Sequence, residues 1–329
     1  MLKGMKKGVA VAINQSAIVN RPESFANMRK VGPKVCITTA NSPDFIGFHA
    51  LLQVGAHSLG GRFGAAEIIN AESIEKVMES PTNLNLNPLH MWQYTVWKTP
   101  DAHEKMHYDN FERIFELCGH CLDMVVEGPD EPVLEVVEAD MPALIGLTDV
   151  PAVLGGAFAA QQPVPKIRLP HQRMIVVADH SVIQGREEQC LAGILETLNL
   201  LKEQAPGMIG WMVMKKLGVS GIGALQFAPR ELWEAVETLG ANPPARPMTN
   251  FGLWGEDYHD VAVPHQGYTE YLVHMEWESP QALSFGVALA AVNPRIRKIH
   301  DEGVLAHLAK VPPYYRVFVP MMEDMVFFH

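Results

Sequence analysis

The hexapeptide Trp97-Lys98-Thr99-Pro100-Asp101-Ala102 returns in the second half of the chain as Trp277-Glu278-Ser279-Pro280-Gln281-Ala282. In both copies a hydroxyl residue stands where a helix N-cap belongs and a proline follows at the first helical position. Each word therefore reads as the corner where a tryptophan-ended strand turns into a helix. Two further words repeat at similar offsets. Pro43, Gly47 and Gly55 recur as Pro206, Gly210 and Gly218, and Ser16-x-Ile18-x-x-Arg21-x-Glu23 recurs as Ser181-x-Ile183-x-x-Arg186-x-Glu188. The chain reads as one strand, helix, strand, strand, helix unit written twice. This predicts an α+β fold, a duplicated unit forming a sandwich or barrel with helices outside. It also predicts one compact domain, with repeats at about residues 1–158 and 174–329 and a Gln- and Pro-rich linker at 159–173.

Downstream of the first corner lies the richest run of chemistry, HEKMHYDNFERIFELCGHCLDMVVEGPDEP from His103 to Pro132. The spacing predicts one long helix from Pro100 to a stop at Gly128-Pro129. At about 100° per residue, that helix would carry His103, His107, Cys118 and Cys121 on a single stripe. Glu131 then falls at a loop-to-strand corner before a strand over Val133–Ala139. Upstream, a short helix over Arg21–Lys30 and a β-branched strand over Lys34–Ala40 containing Cys36 are expected. In the second copy Leu283 and Val287 stand where His103 and His107 stand in the first, so the histidines are an addition to the repeated scaffold.

Composition bounds the setting. With 329 residues, 48% of them apolar, the chain can bury a large core. A net charge of −11, with no basic run to offset it, argues against nucleic acid as a partner. No signal peptide and no membrane span is read, and four cysteines in so long a chain form no disulfide framework. The expected location is the cytoplasm. The glycine cluster at Gly60, Gly61 and Gly64 lacks the spacing of a phosphate cradle.

Three chemistries compete for the His103–Pro132 run. His103-Glu104-Lys105-Met106-His107 is literally HExxH, which would make Glu104 the general base of a zinc hydrolase. Cys118-Gly119-His120-Cys121 has the form of a dithiol motif, but it lies deep in the expected helix, where no helix N-terminus lowers a thiol pKa. Third, His103, His107 and Glu131 together form a two-histidine, one-carboxylate set of the kind that binds non-haem iron and leaves positions open. A metal-free oligomeric barrel of the same duplicated fold, akin to cofactorless monooxygenases, is a further alternative.

Several words resemble the sulfur oxygenase reductase family, in order and over nearly the whole chain. They are GPKVC at Gly32–Cys36, the spacing from Trp97 to His107, the Cys118/Cys121 pair, and GPxEP at Gly128–Pro132. HSVIxG at His180–Gly185, GVSGIGxxQF at Gly218–Phe227 and PMME at Pro320–Glu323 complete the set. The resemblance implies a mononuclear non-haem iron on His103, His107 and Glu131, without an external organic cofactor. It implies a sulfur-handling Cys36, with Cys118 and Cys121 in the same pocket. Elemental sulfur or polysulfide, dioxygen and water would be the reactants, and sulfite, thiosulfate and sulfide the products. It further implies a cytoplasmic hollow homo-oligomer of about twenty-four copies, each a sandwich or barrel of two ferredoxin-like units with helices outside, with Met321 and Met322 narrowing the way to the site. Phe158 matches one of two phenylalanines at a shell channel; Val150 replaces the other and bears on that channel's width.

Overall fold

The computed structural model describes residues 7–19, 21–58, 89–119, 125–141, 173–220, 268–310 and 313–320. The first half runs β1 (Ala10–Ile18), α1 (Pro22–Ala40), β2 (Phe45–Ser58), β3 (Leu89–Trp97), α2 (Pro100–Asp109), α3 (Phe111–Gly119), β4 (Val125–Asp130) and β5 (Pro132–Asp140). The second runs β6 (Met174–Ile183), α4 (Glu187–Gln204), β7 (Met208–Val219), β8 (Tyr268–Trp277), α5 (Pro280–Val292), α6 (Pro294–Ile299) and β9 (Tyr314–Pro320). Every pairing between these strands is antiparallel.

Strand order exposes the duplication. Hydrogen-bonded neighbours in the first half run β5-β1-β3-β2, and in the second β9-β6-β8-β7, the ferredoxin-like arrangement in each case. The second strand of each half then pairs with the last strand of the other, β2 with β9 and β7 with β5. Eight strands thereby close into a barrel. Closure leaves these strands no free edge, so their backbone groups are satisfied within the ring. Alternation along each strand makes two cores. Inward residues such as Leu51, Trp92, Val177, Met212, Met214, Leu272 and Phe318 fill the barrel. Outward ones such as Val176, Val213, Val273 and Val317 pack with Ile194 and Leu198 of α4 and Leu283 and Val287 of α5.

Three expectations are corrected. The helix begun at Pro22 does not end near Lys30: it continues to Ala40, so Cys36 lies on a helix and not on a strand. The β-branched residues that suggested a strand are accommodated by back-bonding, with Thr38 Oγ1 donating to Lys34 O at 2.8 Å and Thr39 Oγ1 to Val35 O at 3.0 Å. The long helix after Pro100 is two helices. Asn110 breaks it with φ −117° and ψ 19°, its side-chain amide donating to Met106 O at 2.9 Å. The histidines and Cys118 therefore share no stripe. Gly128 and Pro129 lie inside β4 and stop no helix. The linker expected at 159–173 falls outside the described residues apart from Arg173.

One stretch of the barrel interior is polar. His274 faces Tyr94 Oη through Nδ1 at 3.5 Å and Glu276 Oε1 through Nε2 at 3.2 Å, and Arg173 lies 3.4 Å from the other carboxylate oxygen. His49, the cross-strand partner of Tyr94, is buried with neither ring nitrogen hydrogen-bonded. Burial pushes His49 down from 6.5 to about 4. Glu276 pulls the other way, and His274 and Arg173 add to the lowering. His180 is also pushed down to about 4, by burial and then by His300, against a hydrogen bond to Ala178 O.

For both histidines the unfolded chain takes up a proton before the folded one does, so folding stability falls as pH drops from 6.5 to about 4. Each histidine adds to that loss inside the window. Glu276 continues the trend. Burial alone would raise its pKa, but the His274 hydrogen bond and the charges of His274, His49 and Arg173 outweigh burial and hold it at about 2, below its ordinary 4.5. Urea unfolding followed at pH 6.5 and at pH 4.5 should show a clearly lower midpoint at the acid value; equal midpoints would remove this account of the interior.

Candidate metal centre

The centre is built on the first repeated corner. Thr99 caps α2 by accepting from Ala102 N at 3.2 Å, and Pro100 opens the helix at a position that needs no N–H. Trp97, fully buried at the end of β3, sets its ring edge-on against His103, with centroids 5.5 Å apart. His103 and His107, four residues apart, therefore point from one side of α2 into the protein.

Glu131 arrives from a jog in the sheet. β1 shares one of its edges between two strands, pairing Gln15 with Asp130 of β4 and Ala12 with Val133 of β5. Glu131 occupies the step between them, and its carbonyl accepts from Ser220 N at 2.8 Å. Such irregularities re-aim a side chain out of the ordinary alternation.

The three side chains converge. His103 Nε2 lies 3.1 Å from His107 Nε2 and 3.3 Å from Glu131 Oε1, and His107 Nε2 lies 3.6 Å from Glu131 Oε2. One ligand atom from each residue lies within 4.8 Å of the others, and all three residues are buried. Burial alone would lower the His103 pKa. The Glu131 charge, the hydrogen bonds to Glu104 and Glu131, and the Glu104 charge outweigh it and raise the value to about 9. Burial would likewise raise Glu131, but the charges of His107 and then His103, with their hydrogen bonds, hold it far below the usual carboxylate range.

Two imidazole nitrogens that face each other can share only one proton, and both oxygens of the Glu131 carboxylate lie beside them. The group thus offers more lone pairs than protons and could hold a metal ion. Two imidazoles and one carboxylate suit a borderline divalent cation such as iron or zinc. Glu104, the would-be base of HExxH, does not face this convergence. Its Oε1 lies 2.9 Å from the other ring nitrogen of His103, Nδ1.

The second corner repeats the geometry without the ligands. Ser279 accepts from Ala282 N at 3.1 Å, Pro280 opens α5, and Trp277 is buried. Leu283 and Val287 are packed into the core there, and Gly286 lies so close to Trp277 that an added Cβ would fall 2.1 Å from its ring.

Among the cysteines, Cys36 lies on α1 and Cys118 on α3, and these helices pack through Val31, Val35 and Leu117, residues next to or near each thiol in sequence. The side chains of Cys36 and Cys118 lie outside the described residues, as do Cys121, Val150, Phe158, Met321 and Met322 altogether. Cys190 is buried in the core and its thiol is pushed up to about 12 by burial. Sequence reading missed the hydrogen bond of Glu104 to His103 and the interior cluster. The period-two series Leu272, His274, Glu276 carried a signal for the latter.

A family model described as Sulphur oxygenase reductase matches residues 7–328. Among solved structures, the chain is similar to a candidate monooxygenase from Fusobacterium nucleatum, with a TM-score of 0.50 and 4% identity over 98% of this chain and 95% of that one. It is also similar to an anthrone oxidase-like protein, with a TM-score of 0.47 and 14% identity over 96% of this chain and 93% of that one. At such identities the likeness concerns the fold alone.

Proposed function

The chain belongs to the sulphur oxygenase reductase family, an oxidoreductase family, and from that premise we propose that it disproportionates elemental sulfur with dioxygen and water to sulfite, thiosulfate and sulfide. In this reading one mononuclear non-haem iron sits on His103, His107 and Glu131, and the protein is cytoplasmic. The observation that carries it is the buried convergence of His103 Nε2, His107 Nε2 and the Glu131 carboxylate. Iron held by His103, His107 and Glu131 would supply the redox coupling of sulfur to dioxygen. Glu104 engages the far nitrogen of His103, which weighs against the zinc-hydrolase alternative, because a general base must face the ligand side.

The remaining steps belong to protein groups. The Cys36 thiolate attacks elemental sulfur, forming one S–S bond as a ring S–S bond breaks, and the negative charge moves to the chain end of a protein-bound polysulfide. The packing of α1 on α3 supports a pocket shared by Cys36 and Cys118, with Cys121 close by in sequence. Met321, Met322 and Phe158 are taken as channel residues on the family resemblance.

The same reading includes a closed homo-oligomeric shell of about twenty-four copies. Helix α5, PQALSFGVALAAV, carries no charged residue, and its outer side exposes Phe285 at 50% and Val292 at 74%. Large apolar side chains exposed on one side of an uncharged helix are normally covered, which supports burial against another copy.

A single purification tests the proposal. Protein prepared without added metal is expected to contain about one iron per chain, as one such triad implies, and to run as a large particle in light scattering. It should convert sulfur in air with no added NADH or flavin. Stoichiometric zinc in a fully active preparation, a strict need for an organic electron donor, or a monomer at working concentration would each defeat the corresponding part.

A further inference from the structure

Neighbouring residues on a helix point about 100° apart and ordinarily do not face one another. Glu104 nevertheless turns its carboxylate back onto the ring of His103, with Oε1 2.9 Å from Nδ1. The two side chains are 3% and 1% exposed, so this contact is made away from solvent. Trp97 presses edge-on against the same ring. His103 is thus held at one nitrogen by a carboxylate and packed at a steep angle against an indole, while its other nitrogen is aimed at His107 and Glu131.

We propose that Glu104 is a positioning residue of the metal centre: its carboxylate accepts the Nδ1–H of His103, fixes the tautomer whose lone pair is on Nε2, and supplies a second negative charge to the site. The inference rests on the reading that His103, His107 and Glu131 bind the metal. Two physical arguments carry it. An imidazole can present Nε2 as a ligand only if its proton resides on Nδ1, and a hydrogen-bonded carboxylate at Nδ1 both holds that proton and makes Nε2 more basic. Charge supplies the second argument. Glu131 alone would leave a buried divalent cation with one uncompensated positive charge, whereas Glu104 brings the buried group to neutrality. The glutamate of the HExxH word is therefore deployed behind the ligand, where it orients, and not in front of it, where it would activate water.

The test measures metal affinity, not turnover. Metal-free wild type, Glu104→Gln, Glu104→Leu and His103→Ala are titrated with Co2+ against a chromogenic chelator, and the visible cobalt spectrum reports the ligand set. His103→Ala should lose binding altogether. Glu104→Leu removes both the acceptor and the charge and should weaken binding by about 10- to 100-fold, the range typical of lost outer partners. Glu104→Gln keeps an acceptor and removes the charge, so it should fall between Leu and wild type with an unchanged cobalt spectrum.

Wild-type affinity in both Glu104 variants, beside lost binding in His103→Ala, overturns the proposal while leaving the metal centre intact. Failure of the wild type to bind Co2+ or iron overturns the metal centre itself. If Glu104→Leu does not fold, Glu104→Gln decides: wild-type affinity with turnover abolished would make Glu104 a catalytic base and refute the positioning role.

Discussion

Glu131→Gln is expected to give folded protein that leaves purification without iron and shows no measurable sulfur turnover. The exchange keeps the volume of a side chain lodged between β4 and β5 and leaves its backbone bond to Ser220 untouched, so the fold has little reason to change. What it removes is the anionic carboxylate whose Oε1 stands 3.3 Å from His103 Nε2 and whose Oε2 stands 3.6 Å from His107 Nε2. Loss of a direct ligand should weaken metal binding by more than the roughly 100-fold that loss of an outer partner can cause. His103→Ala and His107→Ala should lose metal as well. His103→Ala will also be less stable, because it strips a buried carboxylate of its partner, at a cost of about 3–5 kcal/mol. Metal content after gel filtration, read beside a thermal midpoint, separates the two effects. A Glu131→Gln protein with full iron and wild-type turnover would end the case for this centre.

Cys36→Ser should abolish turnover while iron stays bound, since a serine hydroxyl is far less nucleophilic at neutral pH. Metal retention follows from the geometry: the three candidate ligands come from α2 and the β4–β5 step, whereas Cys36 lies on α1. Cys118→Ser and Cys121→Ser are expected only to weaken turnover. Cys190→Ser should leave turnover nearly unchanged, because that thiol is sealed in the core with burial raising its pKa to about 12; a buried hydroxyl there costs stability instead. Mass spectrometry after exposure to sulfur should find added sulfur on Cys36. Substantial activity in an iron-loaded Cys36→Ala protein would eliminate the covalent role.

The sequence disclosed what is written locally. A capping hydroxyl, a proline and a buried tryptophan are sufficient to define each corner, so both Trp-x-x-Pro-x-Ala words fall where a strand becomes a helix. The spacing of His103 and His107 needed only one turn of helix to bring them together. What depended on distant contacts was misread. Lys34–Ala40 has strand-like composition, yet α1 is helical there and packed on α3, with both threonine hydroxyls satisfied by the preceding turn. Asn110 gave no clear stop signal, although its side chain closes α2 by reaching Met106. The step that aims Glu131 exists because two strands divide one edge of β1, a fact about pairing that alternation along a single strand cannot express. Glu104 was visible as part of HExxH, but its direction was not.

The two corners also give the molecule a form of insurance. At Trp277 the helix seats Leu283 and Val287 in the core, and the glycine beneath leaves the ring almost no clearance. At Trp97 the same positions hold two imidazoles that face a buried carboxylate. A barrel with a single such corner would have to be strong and reactive with the same residues. Because this one was assembled from twin halves, the apolar twin can anchor the closed ring while its counterpart is free to hold polar side chains in the same place.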